Sequence, residues 1–258
     1  MTVGGDDLVR IAGLPLFQGA APQTLSALTA SAFLQWFPGG ATLSTEGDRV
    51  DFLYILCEGM VELQARWQDR ETTLAVLAPV STFTLASAVL DAPALMTART
   101  LERSQVLMLS SQALRAAMVN DGALSLAVAQ EMAASYRGVV RAIKNQKLRG
   151  GVERLANYLL AQTEQAGRDH IILPYEKRLL ASLLGMTPET LSRAFVALAS
   201  YGVEVRGPEV IVHKPADLAG LARPTALIDD PAPRASDDQG VRPSPPSKMG
   251  SKRGIASH

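Results

Sequence analysis

Hydrophobic positions along the chain change period more than once. Leu8, Ile11, Leu14 and Phe17 recur every third residue and predict a first helix. Pro22 opens a second, over about 22–33, with Leu25 and Leu28 turned inward. Beyond Pro38-Gly39-Gly40 the helical spacing stops. The run DFLYILCEGMVELQARW, 51–67, is aliphatic and aromatic, with Glu58-Gly59 as a turn inside it. Past a charged break at 68–71 come TTLAVLAPV and later SQVLML, again short and apolar. Short strands between polar turns predict a small antiparallel β-roll or barrel, which with its leading helices occupies 1–110.

A second region, 111–149, is helical, and Gly122 separates a short helix from a long one. In the long helix Leu126, Ala129, Ala133, Tyr136, Val140 and Ile143 fall at alternating steps of three and four. Such a seam needs a second surface to bury it, either the chain's own roll or the same helix of a second copy. The small residues Ala129, Ala133, Ser135 and Gly138 admit a close neighbour. Towards its end runs a basic series, Arg137, Arg141, Lys144, Lys147, Arg149 and Arg154, opposed by Glu153. It reads either as a solvated face or as positive potential beside a phosphate backbone.

The third region, 150–221, begins with VERLANYLLAQTEQ, a helix with Leu155, Leu159 and Leu160 inward and Gly167 as its stop. HIILP follows as a strand, and VEVRGPEVIVH closes the region as two strands around Gly207-Pro208, a β-wing. Between them, 177–198 reads as a helix-turn-helix. Ala181 is small where two helices cross, and Gly185, four residues on, suits a left-handed helix end. Thr187 is a cap with Pro188 at the first helical position, and Leu180, Leu184, Leu191 and Ala194 join the pair. The second helix exposes Glu189, Ser192 and Arg193 near its start, the part that enters a major groove in this motif. Arg193 can hold guanine O6 and N7, Glu189 can accept from cytosine N4 or adenine N6, and the Ser192 hydroxyl suits a base or a phosphate. Glu189 and Arg193 also fit a plain surface pair. Thr187, Thr190, Lys177 and Arg178 are phosphate-contact candidates. A fourth region, 222–258, is rich in Pro, Ser, Asp and Gly, has no aromatic residue, and is expected to be a disordered tail.

Composition narrows the function classes. The 258 residues carry 25 basic and 25 acidic side chains, so that any nucleic-acid surface must be a local patch. With 47% apolar residues but no long uncharged apolar window, and an acidic start in place of a leader, the expectation is a cytoplasmic protein without a membrane span. The single cysteine, Cys57, excludes an intrachain disulfide framework and any site of several thiolates. No Ser-His-Asp pattern, P-loop or histidine–carboxylate metal cluster stands out, so neither an enzyme nor a metal site is expected.

These motifs together resemble the CRP/FNR family of transcription regulators over residues 10–221. GDRVDFLYILCEGMVEL is similar to the family's sensor-roll motif, the long helix takes the place of its dimer helix, and LLASLLGMTPETLSRAF resembles its DNA-reading motif. The resemblance implies an α+β fold: a cyclic-nucleotide-binding-like roll, a dimerisation helix and a winged helix-turn-helix. Glu189-x-x-Ser192-Arg193 is similar to the FNR-type variant, which implies TTGA-like half-sites in an inverted repeat, a homodimer on double-stranded DNA, and recruitment or blocking of RNA polymerase. The sensor half departs from the family. No glycine stands between Met60 and Asp121, and Ala94 and Leu95 occupy the place of the phosphate-binding Arg-Ser pair. Arg99 and Arg103 are nearby and read as exposed charges. Cyclic nucleotide is therefore not expected, nor is an iron–sulfur cluster with only Cys57 to hold it. The sensor resembles the nitric-oxide-responsive NnrR/DNR branch that controls denitrification genes, which implies haem as the cofactor candidate. His170, His213 and His258 lie outside the roll, and Cys57, Met60, Met96 and Met108 lie within it. A cyclic-nucleotide-responsive regulator and a ligand-independent one are the alternatives.

Overall fold

The computed structural model describes residues 11–174 and 176–229. After a 3-10 turn, Pro15–Phe17, comes helix α1, Pro22–Ala30. Strands β1 Phe33–Phe37, β2 Thr42–Ser44, β3 Phe52–Glu58, β4 Val61–Trp67, β5 Arg70–Leu77 and β6 Ser81–Phe83 lead to helix α2, Leu85–Leu90. Strands β7, Thr97–Thr100, and β8, Ser104–Ser110, then close two four-stranded antiparallel sheets, ordered β1-β8-β3-β6 and β2-β7-β4-β5. The α+β class and the roll agree with the reading of the sequence.

β3 is buried on both faces, which explains its unbroken apolar run. Tyr54 and Leu56 point between the sheets, where they meet Val61, Leu63, Phe83, Ala98 and Val106. Leu53, Ile55 and Cys57 point the other way, into a core shared with Phe17, Leu28, Leu85, Leu114, Leu124 and Val128. The β3–β4 turn depends on Gly59, at φ +89°, where an added Cβ would strike the backbone of Arg103 and Ser104.

Helix α3, Ser111–Asn120, and the long helix α4, Gly122–Leu148, follow. Asp121 caps α4 by accepting from Ala123 N at 3.0 Å and Leu124 N at 3.1 Å. Its other oxygen accepts from Ala21 N at 2.8 Å, tying the start of α1 to the start of α4. These amides hold the Asp121 carboxyl at about 2, below its ordinary 3.8, with the Ala21 amide the strongest cause and Leu124 N–H and Thr24 behind it.

The last part comprises α5 Gly151–Ala166, β9 His170–Ile172, α6 Lys177–Leu183 and α7 Pro188–Leu198, then β10 Val203–Arg206, β11 Glu209–Val212 and α8 Pro215–Ala222. The three strands form one antiparallel sheet, ordered β10-β11-β9, beside a separate core around Leu155, Leu159, Leu180, Leu191, Leu198 and Val210. Among the described residues no helix is long and apolar enough to cross a membrane.

Three expectations change. The first helical pattern is cut short, because Pro15 cannot donate to a preceding turn and starts a 3-10 turn instead; Leu8 lies outside the described residues. The helix expected over 22–33 ends at Ala30, and Phe33 already belongs to β1. The segment expected to be disordered from 222 begins in ordered structure. Ala222 is buried in the end of α8, and Asp229 is clamped to Arg149 by two bonds of 2.6 Å. Residues 230–258 lie outside the described residues.

Candidate nucleic-acid interface

The helix-turn-helix is built from local signals. α6 stops because Gly185 takes φ +62°, with Gly185 N bonded to Ser182 O at 2.9 Å and Met186 N to Ala181 O at 2.8 Å. Thr187 then leaves the helical region, and its hydroxyl accepts from Thr190 N at 3.2 Å, with Pro188 starting α7. Ala181 is fully buried at the crossing of α6 and α7, beside Leu180, Leu184, Leu191 and Ala194.

That packing leaves Glu189, Thr190, Ser192 and Arg193 on the solvent face of α7. The Glu189 carboxyl sits below the ordinary range, chiefly through the Thr187 hydroxyl, then its own backbone N–H, with the Arg193 charge adding to these. It is an acceptor at neutral pH. The Ser192 hydroxyl donates to Pro188 O at 2.9 Å, which leaves its lone pairs outward. Arg193, one turn beyond Glu189, is exposed on the same helix, and its charge reaches that carboxyl. One α7 face thus offers a donor fork and two acceptors.

The phosphate candidates separate. The Thr187 and Thr190 hydroxyls lie 3.1 Å apart and serve the helix start. Lys177 Nζ lies 5.8 Å over the Phe195 ring. Arg178 lines a cleft between α6 and the outer face of β4, β5 and β7, with Glu62, Glu71 and Glu102 across from it. In this cleft Thr73 N of β5 donates to Ser182 Oγ of α6 at 2.8 Å, a contact between the two halves of the chain that the sequence did not announce. Glu62, buried at the cleft floor, bonds to the Thr73 hydroxyl and accepts from Gln64 Nε2 at 2.8 Å.

The basic run is less free than its charges suggest. Arg149 is spent on Asp229, and Arg154 donates to Leu184 O at 2.8 Å and Arg149 O at 2.6 Å. These two stitch the junction of α4 and α5 together rather than facing a phosphate backbone.

Helix α4 has two sides. Leu124 and Val128 enter the roll's own core, and Ala127 is buried on the same side. The seam residues Leu126, Ala129, Ala133, Tyr136 and Ile143 are exposed, with Tyr136 at 71%, and Val140 is half-buried. The chain's own roll is therefore not what covers this stripe.

In the sensor half Ala94 is buried and Leu95 exposed, and Arg99 Nε donates outward to Gly40 O at 3.1 Å. Arg103 stacks on Trp36 at 4.0 Å. Between the sheets Tyr54 lies on Phe83, ring centres 5.2 Å apart, and Met96 and Met108 pack against the same cluster.

Two domain families match the chain: the cyclic nucleotide-binding domain over residues 34–121 and the Crp-like helix-turn-helix domain over 153–221. A CRP-like cAMP-activated global transcriptional regulator of Mycobacterium tuberculosis is 27% identical over 225 residues, spanning 84% of this chain and 100% of that protein. Among solved structures, FixK2 from Bradyrhizobium japonicum superposes with a TM-score of 0.66 at 21% identity, over 76% of this chain and 99% of that one. A CRP-family transcriptional regulator of Thermus thermophilus gives 0.60 at 22% identity, over 74% and 97%. The Mycobacterium and Thermus proteins are both described as transcriptional regulators.

Proposed function

We propose that the chain, which matches the cyclic nucleotide-binding and Crp-like helix-turn-helix domain families, is a DNA-binding transcription regulator of the CRP/FNR type that reads TTGA-like inverted repeats as a homodimer. The observation that carries this reading is the common exposure of Glu189, Ser192 and Arg193 at the start of α7. Arg193 takes guanine through two bonds, Glu189 accepts from cytosine N4 or adenine N6, and Ser192 adds an acceptor. The exposed stripe of α4 joins two chains, so that two copies of α7 face successive major grooves about one DNA turn apart. Bound in this way, the dimer recruits or blocks RNA polymerase.

Arg193→Ala should remove preference for a TTGA-type operator over a scrambled one, at roughly 1–3 kcal/mol per half-site. Undiminished discrimination by this variant, measured by competition binding, would overturn the reading. Tyr136→Asp should raise the monomer fraction in sedimentation, because a carboxylate would be buried in an apolar stripe. A dimer as tight as wild type would refute that use of α4.

For the signal the proposal carries forward nitric oxide, on the resemblance to regulators of denitrification. The placed histidines and Cys57 do not fit haem as its receptor, which leaves Met60, Met96 and Met108 as the methionines of axial-ligand type in the roll. His170 and His213 face Glu209 and Glu204 on the wing, at 3.5 and 2.9 Å, and Cys57 is packed beneath the helices of the roll. Operator binding should be titrated with nitric oxide and with haem while the absorption spectrum is recorded. A Soret band with altered affinity would establish haem after all, and unchanged affinity throughout would remove nitric oxide. Cyclic AMP, the activator named for the Mycobacterium relative, is the control ligand in the same titration.

A further inference from the structure

Val196 is 77% exposed on α7 and belongs to none of the three apolar clusters of the described residues. Its neighbours on the helix explain where it points. Seven residues on from Glu189, it lies about 20° from that residue around the helix axis and about 10 Å further along. It follows Ser192 by four residues and Arg193 by three, so its direction falls between theirs. The buried side of the same helix is occupied by Leu191, Ala194, Phe195 and Leu198. Val196 is thus the apolar end of the stripe that begins with Glu189, and it shares no side with the core.

Helix stability does not account for a valine here. A β-branched side chain is a poorer helix former than alanine, and at this exposure it gains little from burial. An apolar side chain on a groove-reading face has one complementary feature among the base edges, the 5-methyl group of thymine. We infer that Val196 is a further specificity-determining residue, packing its methyl groups against a thymine 5-methyl in each half-site. The inference rests on the reading of α7 as the groove helix. It adds a contact that carries no hydrogen bond and that the polar residues Glu189, Ser192 and Arg193 cannot make.

The test uses full-length dimer and an operator selected from random duplex DNA. Each thymine of the half-site is replaced singly by deoxyuridine, which removes the methyl group and keeps every base-edge donor and acceptor. Wild type should lose about fourfold in affinity per half-site at one thymine, the effect of one methyl no longer buried. Val196→Ala should bind the unmodified operator more weakly by a similar factor and be indifferent to deoxyuridine at that position alone. Val196→Thr, which keeps the shape and one methyl group, should fall between. Because Val196 is exposed and alanine favours the helix, loss of folding does not confuse the result. Equal deoxyuridine penalties in wild type and Val196→Ala, or no penalty at any thymine in wild type, would overturn the inference. Arg193→Ala on the same operator separates the two levels. If it keeps full sequence preference, the reading of α7 fails. If it loses that preference while the penalties in Val196→Ala match wild type, only the role of Val196 fails.

Discussion

Asp229→Ala should loosen the junction at which the long helix hands over to the DNA-binding half. The Arg149 guanidinium donates Nη1 to Asp229 Oδ1 and Nη2 to Oδ2, both at 2.6 Å, and Asp229 Oδ2 also accepts from Thr225 N at 2.7 Å. The Arg149 side chain is 7% exposed and that of Asp229 25%. Losing one partner of a fully buried pair costs about 3–5 kcal/mol, whereas an exposed pair is worth about 0–1 kcal/mol. This pair lies between those limits, and Asn145 Oδ1, 3.2 Å from Arg149 Nη1, remains as a second acceptor after the substitution. The expected cost is therefore about 2 kcal/mol.

Urea unfolding of the wild type, Asp229→Ala, Arg149→Met and the double variant gives a complete cycle. Asp229→Ala should shift the midpoint most, because it strands a buried cation. The double variant should recover part of that loss, because a thioether needs no counter-charge. A chain ended at Ala222 should lose at least as much as Asp229→Ala. Burial alone would raise the Asp229 carboxyl, but the Arg149 bonds, the Thr225 N–H and the Arg149 charge together hold it below its ordinary value. The stability it contributes is thus present above the usual aspartate range and is lost as pH falls through the lowered value. A coupling energy under about 0.5 kcal/mol would show that the clamp does not constrain the junction.

Gly59→Ala should destabilise the roll by about 3 kcal/mol, since a Cβ at φ +89° would sit 2.7 Å from Arg103 O and from Ser104 Cα; an unchanged urea midpoint would count against the turn geometry. Asp121→Asn should alter acid unfolding. With its carboxyl at about 2 against an ordinary 3.8, Asp121 stabilises the fold above the ordinary value and loses that contribution as pH drops towards 2. Circular dichroism at falling pH should show this part of the transition in wild type and not in the variant, and superimposable curves would refute the link from Asp121 to Ala21 N–H.

What could be read from the chain was local chemistry. Gly185, Thr187 and Pro188 specify a turn within a few residues, and the turn is found with the expected φ and cap. The exposed stripe of α4 was legible because its period repeats over several turns. β1, β2, β6 and β7 were not, because strands of three to five residues carry too few positions to show a period. In β1 the burial itself does not alternate, with Phe33 and Trp36 both exposed. The clamp escaped notice for a different reason. Asp229 lies eighty residues from Arg149, and a run of basic residues states its charge but not its acceptor. Val196 escaped because an exposed valine has a meaning only once the directions of its helical neighbours are known.

The contact between α6 and β5 gives those local elements a joint consequence. β5 is the outer strand of its sheet, and an outer strand has backbone groups that need an acceptor or a cover. β4 and β5 shift register between Leu63 and Gln64, and opposite that shift the Thr73 N–H finds its acceptor in Ser182 of α6. Ser182 O is also the acceptor for Gly185 N, in the turn that starts the reading helix. A displacement of β5 therefore acts on α6 directly, and α6 fixes the direction of α7 through buried Leu180 and Ala181. The other connection from the roll, along α4, ends at Arg149, which the Asp229 clamp and the Arg154 bonds fasten to α5 and to the Gly185 turn. Both routes converge on the same few residues at the start of α7. On the proposed function, a signal that shifts β5 or α4 would act on the turn that places Glu189, Ser192 and Arg193.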